Sequence, residues 1–171
     1  MVYLKVKRME KLEYIPGDLV MTNGVPLGTA KDVVYRVVSS DPSKTLKLDD
    51  GTVLKGVVCL ENIEGAEFGD KGYLLGDSCA WVKDIVPIPI TPEILEKNGW
   101  KHNHDGIYTL TDVFLGGDPC DEDNYAMLTL YTDYDMWYIE KNLEFMKGDI
   151  KHLHQLQHLL FGLGIDKNME V

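Results

Sequence analysis

Cysteine is scarce in this chain, with three in 171 residues (Cys59, Cys79 and Cys120) and no CxxC pair. That spacing indicates neither a structural zinc cluster nor a disulfide framework, and Cys59 within "VVCLE" reads as a small core hydrophobe. Long apolar runs are missing too: nothing approaches the roughly 18 residues of a membrane span. The first residues, "MVYLKVKRMEKLEY", alternate apolar and basic side chains, so no secretory leader is expected and a soluble cytoplasmic protein is. Positive charge is in deficit, 17 Lys and Arg against 28 Asp and Glu, for a formal charge of −11. A duplex binder gains much of its affinity by replacing counterions with Lys and Arg, so nucleic acid is disfavoured as a partner. The only basic cluster is Lys5, Lys7, Arg8 and Lys11, which reads as a solvated face.

What is present is enough for a folded protein. Hydrophobic residues make up 44% of the chain, and nine Tyr with three Trp argue against disorder. The fold class expected is α+β, mostly β, in two modules: residues 1–89 as an SH3-like small barrel and residues 90–171 as an α+β unit. "GDLVM" and "VVYRVV" are β-branched runs bounded by turn formers. "TLKLDDGTVLKGVV" signals a hairpin whose loop is either Asp50-Gly51 or Asp49-Asp50-Gly51, a choice that sets which residues face one another. "NIEGAEFGDKGYLLGDS" is a long Gly-rich loop, and Pro87 and Pro89 in "IVPIPI" place the following segment at a sheet edge or in an extended exit. Four or five short strands of this kind suit a small barrel or roll.

The joint is "ITPEILEKNGW". Thr91 is a good N-cap, Pro92 suits the first helical position, Glu93 lies at the positive helix end, and Asn98-Gly99 supplies a left-handed stop. A helix this short must pack on something, through Ile94 and Leu95. Beyond it the sequence predicts a hairpin (Trp100–His102 with Ile107–Leu110), then "YAMLTLY" with Ala126, Leu128 and Leu130 on one face. "MWYIEK" follows, with Trp137 and Ile139 placed to pair over them. In "DIKHLHQLQHLLFGLGI", Leu153, Leu156, Leu159, Leu160 and Leu163 fall within an arc of about 120°, wide enough to cover a small antiparallel sheet. "DKNMEV" trails out, with a final strand one option.

Candidate sites are few. His154 and His158 stand four apart, the spacing that aims two imidazoles from one helix face at a metal. His152 lies about 200° away on the helical wheel, Gln155 stands where a zincin needs its Glu, and a third ligand would have to come from His102 or His104. "GDSCA" with Ser78, and "DIKH" with Asp149 and His152, mimic the blocks of GDSL-type esterases, yet Ser78 follows a long β pattern where that fold needs an α/β sheet. "GGDPCDEDN" offers Asp118, Asp121, Glu122 and Asp123 as oxygen ligands without EF-hand spacing. No phosphate-binding Gly motif is present, and the aromatics of "YTDYDMWY" could serve an interface.

"PIPITPEILEKNGW" and "LHQLQHLLFGLGID" together resemble a family of short uncharacterised phage- or prophage-associated proteins of gut anaerobic bacteria, over about residues 80 to 171. The resemblance implies an accessory role and brings no catalytic or ligand residues with it. The expectation is therefore a non-enzymatic, acidic protein-binding module with an unknown protein partner, no membrane and no cofactor. No catalytic, cofactor or metal residues are assigned. The alternatives are a small metal-dependent enzyme using His154 and His158, or an acidic nucleic-acid mimic.

Overall fold

The computed structural model describes residues 13–26, 28–63, 78–114, 116–133, 136–141, 144–166 and 168–171; the side chains of Asp105, Asp123, Ala126 and residues 132–149 are not described. The basic cluster at Lys5–Lys11 and the Gly-rich stretch 64–77 lie outside these residues. The chain forms two compact units, one built on Thr22–Val86 and the other on Gly17–Met21 with Pro87–Val171.

The first sheet contains β1 (Leu19–Thr22), β2 (Tyr35–Lys47), β3 (Val53–Asn62), β4 (Ser78–Trp81) and β5 (Ile85–Pro87), in the order β4-β3-β2-β1-β5. A 3-10 turn, Val82–Asp84, joins the last two strands. β4 and β5 end the sheet without pairing to each other, so it is open rather than the closed barrel the sequence suggested. β5 takes the edge position that Pro87 demands, because a residue without N–H cannot donate to a ladder.

The hairpin between β2 and β3 uses the three-residue loop Asp49-Asp50-Gly51. Leu48 N–H donates to Thr52 O (2.8 Å), Gly51 N–H donates to Leu48 O (3.0 Å), and Gly51 supplies the φ of +85° that this loop needs. Lys47 therefore faces Val53 and Leu46 faces Leu54. β2 is longer than its β-branched run predicts: it continues through Asp41-Pro42, with its register to β3 shifting between Asp41 and Thr45 to accommodate the proline.

Cys59 and Cys79 face each other across β3 and β4 and form a disulfide. The reading of Cys59 as a plain core hydrophobe is corrected here. A cross-strand register that puts two thiols opposite each other cannot be seen in spacing alone.

The second sheet is an antiparallel meander: β6 (Lys101–His102), β7 (Ile107–Phe114), β8 (Tyr125–Asp133), β9 (Met136–Lys141) and β10 (Glu144–Ile150). Ahead of it stands α1 (Pro92–Lys97). Thr91 Oγ1 accepts from Ile94 N–H (3.3 Å), Pro92 opens the helix, and Gly99 with φ of +82° ends it. Its apolar pair, Ile94 and Leu95, is buried as expected.

After the sheet comes α2 (Leu153–Gly162). Leu153, Leu156 and Leu160 are buried; Leu156 and Leu160 belong to one core cluster, and Leu159 and Leu163 pack against it. That core joins Leu95, Trp100, Tyr108, Leu128, Leu130 and Ile150, all within the second unit. The described residues of 166–171 form no strand. No helix among the described residues is long and apolar enough to cross a membrane.

Candidate functional site

Three of the buried polar residues described in the second unit, Asp18, His154 and Gln157, gather beside the leucine stripe on α2. Gln157 is fully buried, about 40° around the helix from Leu153, and its carboxamide grips the backbone of the Gly17–Met21 segment. Leu19 N–H donates to Gln157 Oε1 (3.0 Å), and Gln157 Nε2 donates to Gly17 O (3.2 Å). Between those two contacts lies Asp18, fully buried, whose Oδ2 stands 2.7 Å from His158 Nε2. One helix turn thus holds three consecutive residues of a distant segment through their N–H, C=O and carboxylate.

His154 completes the cluster. It is only 5% exposed, its ring lies edge-on to His158 at 5.7 Å between centroids, and it stacks on His152 at 5.8 Å. Burial pushes its pKa down from 6.5 to about 4; the Asp18 carboxylate pulls the other way, and His158 and His152 add to the lowering. At neutral pH the ring is uncharged.

His152 is the N-cap residue of α2. Its N–H and that of Lys151 both donate to Gln155 Oε1 (3.1 and 2.7 Å). Gln155, where a zincin carries its general base, is therefore occupied in capping the helix. Leu153 N–H donates to Ile88 O (2.8 Å), tying the helix start to the chain before α1.

His154 and His158 do share a helix face, as their spacing predicts, but His158 Nε2 is directed at a carboxylate. His102 instead stacks on Tyr108 (4.8 Å). Among the described residues no group of three or more His, Cys, Asp or Glu side chains is placed to hold a metal ion.

The acidic loop is bonded to itself. Asp118 Oδ1 accepts from Cys120 N–H (2.9 Å), Asp118 O accepts from Asp121 N–H (3.1 Å) and Asn124 Nδ2 (2.9 Å), and Pro119 O accepts from Tyr125 OH (3.1 Å). Its described carboxylates are exposed. Ser78 is a strand residue of β4 opposite Leu60, not the residue at a strand-to-helix turn that an esterase needs. The side chain of Asp149, the acid of the same mimicry, lies outside the described residues.

Sequence reasoning missed Asp18 and Gln157. Asp18 falls within the strand-like run "GDLVM", and nothing local marks its partner 140 residues away. Gln157 left a signal, a polar residue beside the apolar arc of the wheel. Such a residue must find partners if the stripe is buried.

One further surface stands out on the face of the second sheet opposite its core. Alternation along β7 and β8 puts Phe114, Tyr125, Met127 and Tyr131 there, and Phe114 and Met127 remain 42% and 48% exposed. The Phe114 ring lies tilted on Tyr125 at 5.4 Å. Comparison with family models, with curated proteins and with solved structures finds no match to this chain.

Proposed function

We propose that this chain is a non-enzymatic, acidic protein-binding module, an accessory protein of phage or prophage origin, working through the outer face of its second sheet. The observation that carries this reading is that two half-exposed residues, Phe114 and Met127, share one face of the sheet with Tyr125, whose ring lies against Phe114. Aromatic and Met side chains are the types enriched where protein interfaces concentrate their energy. The acidic loop that follows Phe114 carries exposed Asp118, Asp121 and Glu122. The partner this chemistry fits therefore has an apolar centre and a basic rim.

The strand order β4-β3-β2-β1-β5, with a 3-10 turn between β4 and β5, supports an SH3-like descent for the first sheet. A cytoplasmic setting belongs to the same proposal, and the Cys59–Cys79 bond weighs against it, because thiols there are kept reduced. The metal-dependent alternative lacks a third ligand among the described residues.

Capture from host lysate with tagged protein tests the reading. Phe114→Ser with Met127→Ser should abolish capture of a defined protein while leaving the amide spectrum of the core unchanged. Capture that survives the double substitution refutes the proposed face. Capture of a DNA-binding protein that is lost in high salt alone would favour the nucleic-acid mimic instead.

A further inference from the structure

The end of α1 holds a stretch of polypeptide in the manner of a peptide-binding site. Asn98 uses its whole carboxamide. Nδ2 donates to Ile94 O (2.7 Å) and to Glu170 O (2.8 Å), while Oδ1 accepts from Glu170 N–H (2.8 Å). One side chain thus offers Glu170 the donor and acceptor that a neighbouring strand residue would offer.

On one side of this contact, Met169 packs against the core cluster that includes Ile90, Leu95 and Trp100. On the other, Lys97 Nζ donates to Val171 O (2.7 Å). Glu170 itself points to solvent, so the site reads its backbone and not its side chain. Just before this stretch, Gly164 adopts a φ of +75°, a conformation that lets the chain turn away from α2.

We propose that the α1 terminus is a recognition site for an extended peptide of the pattern long apolar residue, any residue, then a residue whose carbonyl meets Lys97. The chain's own Met169-Glu170-Val171 is its resident occupant. A segment of the same pattern from another polypeptide competes for the same contacts. The site is separate from the Phe114–Met127 face and stands whether or not that face binds a partner.

The test uses the full chain. Met169→Asp removes the apolar anchor and disengages the resident segment. A fluorescent peptide of the sequence of residues 165–171 is then titrated in and followed by anisotropy. Saturable binding to Met169→Asp is expected, at least about tenfold weaker when Asn98→Ala is added, since two backbone hydrogen bonds are lost. Binding to the wild type should also be weaker, because its own segment competes. A folded Met169→Asp chain that fails to bind the peptide, or binds a scrambled peptide equally, overturns the proposal.

Hydrogen exchange of the Glu170 amide gives a second readout should Met169→Asp not fold. Protection in the wild type that is lost in Asn98→Ala supports the site. Exchange at the rate of a free peptide in the wild type sinks it. Dimers of the wild type that Asn98→Ala abolishes would identify a second copy as the donor, which also supports the site.

Discussion

Acid should weaken the second unit through one side chain, His154. Folding moves its pKa from 6.5 down to about 4, so between those values the unfolded chain binds a proton that the native chain refuses. Stability is complete above pH 6.5 and drains away as pH falls toward 4. The full shift of about 2.5 units, at about 1.36 kcal/mol each, sets a ceiling of about 3.4 kcal/mol. At pH 4.5 the integrated loss is about 2.5 kcal/mol, and relaxation of the buried site trims that to about 2 kcal/mol.

Other groups titrate in this range, so the comparison must be with His154→Gln, which keeps a polar side chain of similar reach without the titration. Asp18, His158 and His152 surround position 154 in both proteins. The assay is urea unfolding at pH 7.5 and pH 4.5, followed at the amide signals of Leu128 and Leu130 in the second core. For a urea slope of about 2 kcal/mol/M, the wild-type midpoint should fall about 1 M further than that of His154→Gln. Parallel losses in the two proteins would refute the reasoning, and would mean the imidazole takes up its proton without leaving its place.

Two more perturbations address the first unit. Closing a sequence separation of 20 residues, the Cys59–Cys79 bond should contribute about 3 kcal/mol, so dithiothreitol should lower the melting temperature of the wild type and not that of Cys59→Ser with Cys79→Ser; alkylation of all three cysteines without reductant would refute the pairing. Gly56 has a φ of +75°, and a Cβ there would stand 2.8 Å from Val82 Cγ2, so Gly56→Ala should cost about 2–4 kcal/mol by calorimetry; adding Val82→Ala should recover only the contact part of that cost, because the backbone strain remains.

How far the sequence could be read depended on whether its signals were local. The cap at Thr91, the proline at the first helical position and the stop at Asn98-Gly99 each act within a few residues, and α1 forms where they place it. The leucine stripe is likewise a local periodicity, and it is buried. β10 escaped notice because "EFMKGDI" mixes charges and a glycine without alternation, and its register to β9 breaks between Met146 and Ile150. The turn formers that follow "VVYRVV" misled in the opposite sense, since pairing with β3 carries β2 through them. The Asp18–His158 pair and the disulfide depend on which distant segments meet, and no local rule encodes that.

Two carboxamides show how this chain fixes segments that local rules leave loose. Gln157 holds Gly17–Leu19 by one N–H and one C=O, and Asn98 holds Glu170 in the same way. The Leu19 N–H is buried, and leaving such a group unbonded would carry a desolvation penalty of about 1–3 kcal/mol. An amide side chain is suited to this because it carries donor and acceptor at the spacing of a peptide unit and has no charge to desolvate. The two sites differ in burial. Gln157 is fully enclosed and has Asp18 and His158 beside it, so its segment is locked. Asn98 is half-buried, and its contacts lie at the surface, so its segment is the one that can exchange with a competitor. The same chemistry therefore serves as a fixed clasp in one place and as a reversible one in the other, and burial alone decides which.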